Sequence, residues 1–131
     1  MKPIPVGAKG SYSFVVDRGH LASTLDASLA QVMSTPSMIA AMELAAVDAI
    51  RPYYDAGESS VGAGIAVEHT AATPPGHRVR AEAEVTKVDG KRIELTVRAF
   101  DEAGEIGSAM HRRAIVDAAK FNERLKSKIK A

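Results

Sequence analysis

The chain contains no cysteine. That excludes a disulfide framework, a thiolate nucleophile and a cysteine-based metal site. Its first residues, Met1-Lys2-Pro3-Ile4-Pro5-Val6-Gly7, hold no long apolar run, so no signal peptide is expected and a cytoplasmic location is the default. No stretch is apolar enough to span a bilayer. The formal net charge is only +1, which gives no global pull towards nucleic acid or an anionic membrane. His20, His69, His77 and His111 show no tight metal-ligand spacing, so a metal site is not expected; no cofactor is expected either. Gly62-Ala63-Gly64 lacks the third glycine and the helix start of a dinucleotide fingerprint. Internal repeats and low-complexity segments are also missing. What remains is an ordinary globular composition, 46% hydrophobic and 25% charged, and a length of 131 residues that predicts a single domain, residues 1–131, with a sizeable core.

The chain is organised around Ser34 to Arg51. The pair Ser34-Thr35 can cap a helix, and Pro36 suits its first turn, where the missing N–H costs nothing. Apolar residues then run nearly all round, with Ile39, Met42, Ala46, Val47, Ala49 and Ile50 leaving little polar face, which predicts a buried helix. Glu43 breaks that pattern. It shares a face with Ile39, Val47 and Ile50, and a carboxylate there needs either a partner, water or a chemical purpose.

Strands surround this helix. Tyr12, Phe14 and Val16 alternate in Ser11–Asp17. Leu21 to Met33 reads equally as a short helix or a loop. Ser59–Ala71 reads as a strand with Val61, Ala63, Ile65, Val67 and His69 on one face, and with Gly62 and Gly64 on the other. Glycines there suggest the close approach of a backbone or ligand, or a bulge. The clearest hairpin follows. Val79, Ala81, Ala83 and Val85 alternate with charged residues up to the Asp89-Gly90 turn, and Ile93, Leu95, Val97 and Ala99 alternate after it. Ile106–Val116 is a fourth strand after the helix, and Ala118–Ile129 an amphipathic helix with a basic end. The order is strand, long helix, four antiparallel strands. It predicts an α+β fold with a one-sided sheet curled around the central helix and a C-terminal helix. The arginines of the hairpin alternate with Glu82, Glu84 and Glu94, a mixed solvated face rather than a nucleic-acid surface.

Ser34-Thr35-Pro36-Ser37-Met38-Ile39, Glu43 eight residues after Thr35, Val61-Gly62, Glu68-His69-Thr70, Thr73-Pro74-Pro75-Gly76 and Val88-Asp89-Gly90 together resemble the hotdog-fold acyl-CoA thioesterases, and more narrowly the fluoroacetyl-CoA thioesterase-like group. The resemblance spans about residues 10–117. It implies a hotdog fold, a homodimer (with tetramers as a further option) whose sheets meet edge to edge, and active sites at the subunit interface. It implies a catalytic set of Thr35, Glu43 and His69, with Gly62 and Arg113 as substrate-binding residues. The implied substrate is an acyl-CoA or acyl-carrier thioester, with neither nucleic acid nor membrane as a partner. Leu25-Asp26-Ala27-Ser28-Leu29-Ala30, the segment before the central helix, has no aromatic where the fluoroacetyl-specific enzymes look aromatic. A more general small or medium acyl group is therefore expected.

The chemistry suits those residues. Thioester hydrolysis needs a nucleophile, a proton carrier and donors for the developing oxyanion. Water or a hydroxyl must attack, His69 can carry a proton near neutral pH, and the N–H groups at the start of the helix favour a negative oxygen. Each residue also has a plainer reading: Thr35 as a cap, His69 as a structural or surface histidine, Glu43 paired with an arginine, Gly62 as a packing glycine. Two other functions compete. A hotdog hydratase or dehydratase usually carries an Asp five residues before its His, and no His here has one. A non-catalytic thioester-binding module would leave Glu43 and His69 dispensable.

Overall fold

The computed structural model describes residues 1–129. Its elements are β1 (Lys9–Val15), α1 (Ala22–Leu25), α2 (Thr35–Ile50), β2 (Glu58–His69), β3 (Arg78–Asp89), β4 (Arg92–Phe100), β5 (Glu105–Asp117) and α3 (Ala118–Ile129). The five strands form one antiparallel sheet in the order β1-β3-β4-β5-β2, so β1 and β2 are its edges. The hairpin turn at Gly90 has φ +60, a conformation glycine adopts without a Cβ clash. The expected alternation holds there: Val79, Ala81, Ala83, Val85, Ile93, Leu95, Val97 and Ala99 are all buried.

That face packs on α2, which buries Met38, Ala41, Met42, Ala45, Ala46, Ala49 and Ile50. The alanines bring sheet and helix unusually close. A Cβ placed on Gly10 of β1 would lie 2.2 Å from Ala49 N and 2.5 Å from Ala45 O, so only glycine fits. The helix is not buried all round, however. Ala40, Leu44 and Asp48 form an exposed stripe, and Glu43 flanks it half-buried. Small residues made the sequence look uniformly apolar, but only one side of α2 meets the sheet. Leu21–Met33 contains the short α1 followed by turns, closed by a bridge between Leu21 and Met33.

The pattern of β2 also differs from strict alternation. Gly62 pairs with Arg113 and Gly64 with Arg112, so Ala63 is an extra, bulged residue. A bulge reverses which parity faces inward. Gly62 therefore shares the helix-facing side with Ile65, Val67 and His69, opposite to the alternation read from sequence, while Gly64 faces out under the Arg112 guanidinium.

Candidate active site

Ser34, not Thr35, caps α2: its hydroxyl accepts from the Ser37 N–H. Thr35 is thereby released from capping. Its Oγ1 lies 2.8 Å from His69 Nδ1, at the end of β2. The pair sits in an open cleft of about 310 Å³ lined by Ala22, Val32–Thr35 and His69–Ala72. A hydroxyl proton donated to a bare Nδ1 leaves Nε2 as N–H, whereas an Nδ1–H donated to the hydroxyl leaves Nε2 bare. In either case Nε2 is buried and has no hydrogen-bond partner among the described residues. A buried polar atom in that state is costly unless something absent from one chain completes it.

Glu43 belongs to a second cluster. Its Oε2 accepts from Arg113 Nη1 at 3.0 Å. Arg113 is nearly fully buried, and its remaining donors are almost all used: Nε donates to Ser60 Oγ at 3.0 Å, Nη2 to the Ser60 carbonyl at 3.2 Å, and Nη1 also to His111 Nε2 at 3.2 Å. Tyr54 supports Ser60 by donating its hydroxyl at 2.7 Å. Gly62 closes the cluster, since a Cβ there would stand 3.0 Å from Glu43 Oε2, 3.6 Å from Arg113 Nη1 and 3.8 Å from His111 Cε1.

The five residues named from sequence thus fall into two groups, Thr35 with His69 and Glu43 with Gly62 and Arg113. Within one chain the groups are apart. Thr35 and Glu43 are eight residues, or about 12 Å, apart along the helix axis. Gly62 and His69 are separated by about 20 Å of strand. The plain reading of Glu43 as an arginine's partner is correct as geometry, and the arginine is Arg113 rather than its neighbour Arg112. The phase of β5 decides this: Ala109, His111, Arg113 and Ile115 face inward and Arg112 faces out.

Sequence reasoning missed His111, Ser60 and Tyr54. His111 was legible, because it shares the inward phase with Ala109 and Ile115. It is 2% exposed, and its Nδ1 lies 2.9 Å from the Gly64 carbonyl. A carbonyl only accepts and a guanidinium only donates, so Nδ1 carries the proton and Nε2 is bare. Burial holds the His111 pKa below the ordinary histidine value. The bond to Gly64 opposes that shift and the charge of Arg113 reinforces it.

The model of the fluoroacetyl-CoA-specific thioesterase family matches residues 16–119. The fluoroacetyl-CoA thioesterase of Streptantibioticus cattleyicolor is 44% identical over 105 residues, covering 80% of this chain and 76% of that protein. A solved structure of the fluoroacetyl-CoA thioesterase FlK is similar with a TM-score of 0.92 at 38% identity, covering 97% of this chain and 98% of that one. A hypothetical protein of Thermus thermophilus, a thioesterase superfamily member, gives a TM-score of 0.91 at 31% identity, with 99% and 98% covered. The architecture, a curled five-stranded antiparallel sheet with a long central helix, is the hotdog fold.

Proposed function

The chain belongs to the fluoroacetyl-CoA-specific thioesterase family, and on that premise we propose that it hydrolyses small or medium acyl-CoA thioesters with Thr35, His69 and Glu43 as the catalytic set. The observation that carries this reading is the 2.8 Å contact between a Thr35 hydroxyl freed from capping and His69, at the N-terminus of the central helix. In the proposed course the Thr35 hydroxyl donates to His69 Nδ1 and attacks the thioester carbonyl. His69 takes the proton as the new C–O bond forms, and N–H groups at the helix start receive the oxyanion. The C–S bond then breaks, and the thiolate of CoA leaves with the proton from His69. Water, deprotonated by His69, hydrolyses the acyl ester. Residues 25–30 carry no aromatic, and Leu25 and Leu29 are exposed, so the acyl group is not assigned as fluoroacetyl.

Glu43 enters this scheme from a second copy of the chain. The edge β2 has twelve residues and, among the described residues, no strand on its outer side, which makes it a template for pairing. A two-fold axis perpendicular to the sheet pairs inward residues with inward residues. An axis through Ala66 sets Ile65 opposite Val67 and the bulge at Gly62-Ala63 opposite His69. Glu43, which touches Gly62, is then brought beside the unpartnered Nε2 of His69 across the interface. Gly62 and Arg113 line that junction as the substrate-side residues.

Two experiments test the reading. Thiol release from acyl-CoAs of rising chain length should be lost, by about a hundredfold or more, in Thr35→Ala, His69→Ala and Glu43→Ala proteins that still fold. Full turnover in folded Glu43→Ala and His69→Ala would contradict the assignment. Because the chain has no cysteine, Ala66→Cys gives a clean probe of the axis, and oxidation should convert it to covalent dimer. Failure of Ala66→Cys to cross-link, with cross-linking through a distant β2 position, would refute the register.

A further inference from the structure

We propose that His111 is a positioning residue that sets Arg113, and through it Glu43, by acting as a neutral hydrogen-bond acceptor in the floor of the site; this deepens the thioesterase reading and rests on it. The argument starts from donor counting. Arg113 Nη1 has two protons, and two acceptors lie within reach, Glu43 Oε2 at 3.0 Å and His111 Nε2 at 3.2 Å. Its Nε and Nη2 are both tied to Ser60. With Ser60 fixing one side of the planar guanidinium and His111 taking one Nη1 proton, the other Nη1 proton is held in the plane towards Glu43. The tautomer of His111 is itself imposed, because the Gly64 carbonyl at 2.9 Å requires Nδ1–H. The β2 bulge supplies that carbonyl, since the register shift between Gly62 and Gly64 lies where His111 reaches across from β5. A feature that first looks like an irregular edge thus holds the imidazole that holds the arginine.

The arrangement works only while His111 is neutral. A proton on Nε2 would remove the acceptor and set an N–H against the Arg113 guanidinium. The groups facing the imidazole are few. Arg113 comes from its own strand, Glu43 from α2, and the Gly64 carbonyl from β2. Leu95 of β4 and Ile65 of β2 are its direct cross-strand neighbours and do not titrate. The Arg112–Glu94 pair position lies in the opposite, outward phase of the sheet. Of the two nearby charges, the cation is the one in contact, so protonation works against the Arg113–Glu43 pair.

The first test is independent of turnover. Nitrogen-15 spectra of the histidine side chains in the free protein should show His111 with Nδ1 protonated and Nε2 bare at neutral pH. An Nε2–H tautomer, or an imidazolium, would overturn the proposal. The second test is kinetic. His111→Phe keeps the ring shape but removes both hydrogen bonds, one of them to a charged group, and should lower kcat/KM by about tenfold to a hundredfold in folded protein. His111→Gln, which still offers Arg113 an acceptor but does not take up a proton, should recover most of that loss. It should also make the acid limb of kcat/KM against pH less steep than in the wild type. Wild-type kcat/KM in folded His111→Phe, or the same acid limb in His111→Gln, would refute the positioning role. A wild-type protein that releases no thiol from any acyl-CoA would sink the thioesterase reading instead, while the nitrogen-15 spectra still decide the state of His111.

Discussion

Removing the charge of Glu43 should cost more stability than removing both members of its ion pair. The side chain of Arg113 is 7% exposed and that of Glu43 is 42% exposed. Glu43→Gln keeps an acceptor of the same shape and a good helix former, so the change is confined to charge. It leaves a buried guanidinium with only neutral partners, Ser60 and His111. Breaking a fully buried pair from one side costs about 3–5 kcal/mol. Here water reaches the half-open carboxylate side, so about 2 kcal/mol is expected. In Glu43→Gln/Arg113→Met no uncompensated charge remains, and an apolar side chain of similar length fills the buried slot. The double variant should therefore be about 1 kcal/mol more stable than Glu43→Gln alone, near 4 °C in Tm for a domain of this size. Urea and thermal unfolding by circular dichroism measure all three proteins. A double variant less stable than the single one would show that the buried cation is not the source of the cost.

Other consequences are as direct. Gly10→Ala would push a methyl into the α2 backbone at Ala49 and Ala45, neither of which can move as a side chain does, and should cost about 3 kcal/mol in urea unfolding. Gly62→Ala is crowded only by the carboxylate end of Glu43, with Arg113 and His111 at ordinary contact distance, so the protein should still fold while kcat/KM falls about tenfold through displacement of Glu43. Acid should destabilise the protein through His111. Burial holds its folded pKa below the unfolded value near 6.5, so the unfolded chain binds the proton first and stability falls as pH drops below about 6.5. His111→Gln should flatten that part of the urea-midpoint profile between pH 7.5 and 5, and an unchanged slope would count against a neutral buried His111.

The architecture was legible because its signals are local. The Asp89-Gly90 turn, the alternating runs on either side of it and the Pro36 helix start each specify their own element, and β3-β4-β5 follow from joining neighbours, whereas β1 beside β3 and β2 beside β5 are long-range pairings that no local signal carries. Two features were hidden for physical reasons. The Ala63 bulge turns Gly62 onto the face of His69, and no period-two reading survives an inserted residue. The exposed stripe Ala40, Leu44 and Asp48 on α2 was masked because alanine and leucine carry no polar label for the side that meets solvent. Candidate site residues could be named from the sequence, but their partners could not. Ser34 and Thr35 are both good capping residues, and only the geometry shows that Ser34 caps and Thr35 turns to His69. The Glu43–Arg113 bond spans seventy positions of sequence, and no spacing rule reaches that far.

The central claim is that Thr35 and His69 of one chain act with Glu43 of another. Mixing Glu43→Ala and His69→Ala proteins under conditions that exchange subunits tests it most directly. Neither variant alone should release thiol. In a mixed dimer one site draws His69 from the first chain and Glu43 from the second, and is intact. Random exchange makes about half the dimers mixed, each with one of two sites active, so about a quarter of wild-type activity should return. No recovery in a mixture shown to contain mixed dimers would place Glu43 and His69 in separate roles within one chain, and would contradict the account.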